Sequence, residues 1–203
     1  MNAERRTIRP LLVAFLSIVL AGVAHARYFR TVVIDPGHGG YDKGARWGRV
    51  YEKHLALDTA ARLEAYLKTK GYRVVMTRRS DYFVSLPGRV AFARKYSKPI
   101  FVSVHYNYTW KKRPNGIETY YYTGESQPLA TYIQQGVMRR IRTVNRGVKR
   151  ARFYVIRHAK WPAVLVECGF VSNASERERS KQAWYRQAVA EGIAEGVMKF
   201  RHH

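Results

Sequence analysis

Three short runs of this chain are apolar at almost every position: TVVID at 31–35, IFVSVH at 100–105 and AVLVEC at 163–168. A strand with one solvated face alternates apolar and polar side chains, whereas a strand covered on both faces does not need to. These runs therefore call for layers on both sides of a sheet, and helical patterns lie between them to supply the layers. Ala56, Ala60, Leu63 and Leu67 recur at i, i+4, i+7 and i+11, one face of a helix that Gly71 ends. Further helices fit residues 85–95, 127–142 and 181–200, the last with Ala183, Ala188, Ile193 and Val197 toward the core. YRVVMT at 72–77, IETYYY at 117–122 and FYVI at 153–156 complete the strand candidates. The alternation predicts an α/β single domain: a largely parallel, twisted sheet of about six strands with helices on both faces.

The ends of the chain carry other signals. Arg5, Arg6 and Arg9 precede an apolar run from Leu11 to Ala24 and then Ala24-His25-Ala26, a small-x-small cleavage pattern. Residues 1–26 read as a secretory signal peptide, too short for a comfortable membrane span, and 27–203 as the one mature domain. Export places the protein in the periplasm, the cell wall or the extracellular space. The 37 Lys and Arg against 14 Asp and Glu give a formal net charge of +23, which suits a polyanionic partner. For an exported protein those are anionic envelope polymers, and no nucleic acid is expected. The lone Cys168 excludes an intramolecular disulfide and reads as a buried small hydrophobe.

In covered parallel sheets, ligands bind beyond the carboxyl ends of the strands. His38 follows the first strand within VIDPGHGG, where proline and glycines suffice for the turn and the histidine is surplus to it. His105 ends the third strand, Glu167 lies near the end of the sixth, and Glu52 opens the first helix. Two imidazoles and two carboxylates at one sheet edge are costly to bury unless paired or metal-bound. Two His and one Glu with an open position form a catalytic zinc set, and a second, non-ligating carboxylate is the base it needs. His54 competes with Glu52, since positions two apart on a helix point about 200° apart and cannot both face one metal. Glu52 at a helix start also complements the dipole. Asn107 shares the His105 face as a substrate or supporting contact, Glu118 is a further carboxylate, and Asp35 reads as holding the glycine turn through backbone hydrogen bonds.

VVIDPGHGGYDKGA, YEKHLALDTAARLEAYLKTKGYRVVMTR, FVSVHYN, GIETYYY, NRGVKRARFYVIR and PAVLVECGFVSN resemble, in order, the zinc-dependent N-acetylmuramoyl-L-alanine amidases of bacterial cell walls. The resemblance implies hydrolysis of the amide between N-acetylmuramic acid and the L-alanine of the stem peptide in peptidoglycan or muropeptides. It places one zinc ion per chain on His38, Glu52 and His105, which decides for Glu52 over His54, and makes Glu167 the general base. Regulated members carry an inserted helical segment over the zinc. Here residues 123–144 have room for about one ordinary helix, so an open site is expected; the sequence does not tell whether an activator protein takes part. Without a wall-targeting repeat, the basic surface is expected to do the targeting. The competing readings are an exported zinc peptidase of the stem peptide and a basic, non-catalytic wall- or polyanion-binding module.

Overall fold

Every residue of Ala163–Phe170 is buried, as are the six of Thr31–Pro36 and the first six of Pro99–Asn107. They form the middle of a six-stranded sheet in a computed structural model that describes residues 29–202. The expected signal segment, residues 1–26, lies outside the described residues. In chain order the elements are β1 (Thr31–Pro36), β2 (Arg46–Trp47), β3 (Val50–Tyr51), α1 (Glu52–Thr69), β4 (Val74–Met76), α2 (Leu86–Arg94), β5 (Pro99–Asn107) and β6 (Ile117–Tyr121). There follow a 3-10 turn (Gly124–Ser126), α3 (Gln127–Arg140), β7 (Asn145–Arg150), α4 (Tyr154–Arg157), β8 (Ala163–Phe170), α5 (Ala174–Ser180) and α6 (Ala183–Arg201).

The strand order is β4-β1-β5-β8-β6-β7, while β2 and β3 form a separate small hairpin. All neighbours are parallel except β6 and β8. The start of β6 therefore lies at the same edge as the ends of β1, β5 and β8. Side chains alternate between two cores. Val32, Ile34, Val102, Val104 and Val166 pack with α1, α3 and α6, whereas Val33, Phe101 and Leu165 pack with α2 and α4. That two-sided burial is why these strands carry no polar stripe.

Helix α1 buries Leu55, Ala56, Ala60, Leu63 and Leu67 on the expected face. Helix α2 starts where Ser85 accepts from the Gly88 N–H and Pro87 sits in the first turn. Helices α3 and α6 meet with backbones in contact: a Cβ on Gly136 would stand 2.1 Å from the Gly192 carbonyl oxygen. Packing there holds α3, the only helix of segment 123–144, on the α6 side of the sheet. Among the described residues no helix is long and apolar enough to cross a membrane.

Three expectations are corrected. FYVI is not a strand: residues 154–157 form the short helix α4, and the sixth strand is instead β7, Asn145–Arg150. The final helical stretch is two helices, with α5 ending before α6 begins. On α6 the core face is Tyr185, Val189, Ile193 and Val197, Ala183 being exposed.

Candidate metal centre

The turn after β1 projects its carbonyls inward, and two buried arginines receive them. Arg78 donates to the Pro36 oxygen at 3.1 Å and the Gly37 oxygen at 2.7 Å; Arg89 donates to Pro36 at 2.6 Å and His38 at 2.7 Å. His38 itself has φ 60°, a left-handed conformation uncommon for a residue with a side chain. Neighbouring glycines leave room for the imidazoles. A Cβ on Gly37 would lie 2.4 Å from His105 Cε1, and one on Gly44 2.5 Å from His38 Cδ2 and 2.6 Å from Glu52 Oε2.

Glu52 sits between the two histidines. Its Oε2 is 3.1 Å from His38 Nε2 and its Oε1 2.8 Å from His105 Nδ1, while the Ala45 and Tyr106 N–H groups donate to it at 2.7 and 3.0 Å. Burial pushes this carboxyl up, but His105 and His38 outweigh it and hold Glu52 far below the usual carboxylate range. Its hydrogen bonds come from a loop and a strand, so its position is set by the site and not by capping α1. One ligand atom from each of His38, Glu52 and His105 falls within 4.8 Å of the others. Two neutral-capable imidazoles and an ionised carboxylate at that separation fit a zinc ion and leave a coordination position open.

Glu167 pairs in register with His105 on one side and Glu118 on the other. It is buried, and its Oε2 has no hydrogen-bond partner among the described residues. Burial first, then the charges of Glu52 and Glu118, push it well above the usual carboxylate range. A cation at the His38–Glu52–His105 cluster would act in the opposite sense. Glu118 behaves differently from Glu167 because it is paired: Asn107 and Tyr120 donate to it at 2.8 Å, Arg146 at 2.9 Å, and Lys149 closes the cluster.

A family profile described as N-acetylmuramoyl-L-alanine amidase matches residues 32–199. The chain belongs to that family. It is 41% identical over 174 residues to the N-acetylmuramoyl-L-alanine amidase LytC of Bacillus subtilis (strain 168), covering 84% of this chain but 35% of LytC. Against the catalytic domain of CwlV, an N-acetylmuramoyl-L-alanine amidase from Bacillus (Paenibacillus) polymyxa var. colistinus, the TM-score is 0.82 with 36% identity, over 85% of this chain and 98% of that one. Against the amidase AmiC2 of Nostoc punctiforme it is 0.81 with 39% identity, over 84% and 96%.

Within this amidase fold, the four residues singled out from the sequence converge and His54 does not. The His54 ring is exposed, with Nε2 3.5 Å from Asp81 Oδ2. Asn107 supports Glu118. Asp35 is corrected: its carboxylate accepts from Thr77 Oγ1, Ser103 Oγ and Arg89 at 2.6–2.8 Å, so it braces the turn through Arg89 and not through backbone N–H groups. Cys168 is buried in the core, and burial, with Glu167 beside it, pushes its thiol well up, so it stays protonated.

Asp42 was not foreseen. Both its oxygens lie 2.9 Å from His38 Nδ1, which fixes the ring so that Nε2 faces Glu52. The HGGYD spacing, with a carboxylate four residues after the histidine, was the available signal. Arg78 and Arg89 had none, being 41 and 51 residues from the carbonyls they hold.

Proposed function

We propose that this chain hydrolyses the amide between N-acetylmuramic acid and L-alanine in peptidoglycan, acting at the cell wall outside the cytoplasm. The observation that carries the reading is a buried glutamate with an unpartnered oxygen, Glu167, in register beside a two-histidine, one-carboxylate cluster. Family membership supplies the substrate class. A zinc ion held by His38, Glu52 and His105 would supply Lewis-acid polarisation of the scissile carbonyl and acidify a water molecule.

The chain's own groups do the rest. Glu167 Oε2 takes one proton from the attacking water as the carbon–oxygen bond forms, then delivers it to the alanine nitrogen as the carbon–nitrogen bond breaks. Its burial, with the charges of Glu52 and Glu118 nearby, favours the protonated carboxyl needed for the second half of that cycle. Asp42 holds the His38 ring, and the Arg78 and Arg89 clamps hold the turn that carries it. Helix α3, packed on α6, leaves the cluster uncovered, and His38 and His105 side chains keep 24% and 18% of their surface exposed. That openness supports a constitutively accessible site.

Mass spectrometry of purified peptidoglycan treated with the protein, with and without chelator, tests the reading. The expected product is intact stem peptide with a free L-alanine amine, absent after chelation. Cuts within the stem would favour the peptidase, and bound zinc without cleavage would favour the binding module.

A further inference from the structure

The two ends of the sheet edge that carries the metal cluster differ in chemistry. At the β4–β1 end, the segment after β4 lies against the glycine turn: a Cβ on Gly40 would stand 2.8 Å from the Phe83 N. There Tyr41 and Phe83 stack at 4.3 Å between centroids and 27° between planes, with Tyr41 77% and Phe83 40% exposed. Large aromatics at such exposure mark a contact surface and not a core. Phe83, Val84 and Leu86 continue into a cavity of about 180 Å³ that reaches His38 and His105. At the β6–β7 end, past Glu167, Arg146 and Lys149 both converge on Glu118 and remain 32% and 40% exposed. Two cations on one carboxylate leave positive charge there, and Arg146 engages through Nε and not through its terminal fork.

The proposed substrate is asymmetric in the same two respects. On one side of its scissile amide lie uncharged pyranose rings, whose C–H faces are apolar; on the other lies a peptide with free carboxylates beyond the alanine. We propose that the groove has a fixed polarity: the sugar lies on the Tyr41–Phe83 platform, the scissile amide crosses the metal cluster, and the stem peptide runs over Arg146 and Lys149 of β7. This rests on the amidase reading and adds the direction in which substrate lies. Strand order alone then aligns sugar, bond and stem with β1, β5–β8 and β7.

Four soluble muropeptides test it, combining one or two sugars with free or amidated stem carboxylates. For each, kcat/KM is measured with the wild type, Tyr41→Ala, and the pair Arg146→Gln with Lys149→Met. The wild type is expected to favour two sugars and free carboxylates. Tyr41→Ala should erase the sugar preference by about tenfold and leave the carboxylate ratio, and the β7 pair should do the reverse by about tenfold, the scale of one stacked or charge-assisted contact. Using ratios cancels any general loss caused by disturbing Glu118. If Tyr41→Ala moves the carboxylate ratio, or neither variant moves either ratio, the polarity is wrong. Equilibrium binding of the same compounds separates the two readings. Crossed binding ratios without cleavage would overturn the amidase activity and keep the polarity, and cleavage with flat ratios would do the opposite.

Discussion

At the scale of single residues, the site is built on conformations and burials that the chain would not adopt without their partners. His38 in the left-handed region costs about 1–3 kcal/mol, and Glu52 would be expensive to bury without its two backbone donors and the two imidazoles beside it. Both are held by groups around them, which separates holding the metal from performing the chemistry. Glu167 touches none of the three cluster residues by hydrogen bond, so Glu167→Gln is expected to keep stoichiometric zinc by elemental analysis and to lose turnover by about a hundredfold or more. His105→Ala removes a ligand and should lose both. Asp42→Ala keeps all three ligands but frees the His38 ring, and should weaken zinc by about 10–100-fold in competition with a chelator. Activity surviving in Glu167→Gln would reassign the proton carrier.

Elements explain what the sequence revealed and what it concealed. Strands β1, β5 and β8 were legible because burial on both faces leaves an unbroken apolar signature, and the site followed because its residues stand at their carboxyl ends. Strand β7 escaped because it is a sheet edge, paired only with β6, and reads NRGVKR, charged and interrupted by glycine. FYVI has the composition of a strand but too few residues to show a period, and its Val155 and Ile156 serve the α2-side core from a helical turn. The glycines of α3 and α6 were equally silent, since their purpose is a partner far along the chain, as Gly136 against Gly192 and Gly196 against Ile133. A Cβ on Gly196 would fall 2.3 Å from Ile133 Cα, backbone that cannot swing aside. Gly196→Ala is therefore expected to lower unfolding free energy by about 1–3 kcal/mol in denaturant titration, with the cluster residues untouched. An unchanged midpoint would mean that the helices separate without penalty.

Over the whole molecule, charge is the property the fold does not consume. Several acidic groups are each matched to two cations: Glu64 takes Lys68 and Arg79, Glu118 takes Arg146 and Lys149, and Asp58 takes Arg62 and Arg186. Over the full sequence the formal net charge of +23 is an excess of cations that such pairing cannot cancel. Structural ion pairs at close contact are screened little, whereas attraction between a basic surface and an anionic polymer acts over several ångströms of water. From about 0.1 M to 1 M salt the Debye length falls from about 10 Å to about 3 Å, short enough to remove the second and spare the first. Adding salt should therefore release the protein from peptidoglycan that carries anionic polymer, measured by co-sedimentation, while kcat on a small uncharged-stem muropeptide changes little. Sacculi stripped of their anionic polymer should bind weakly at every salt concentration. Retention that ignores both salt and stripping would place recognition in the groove alone and leave the excess of arginine and lysine without a targeting role.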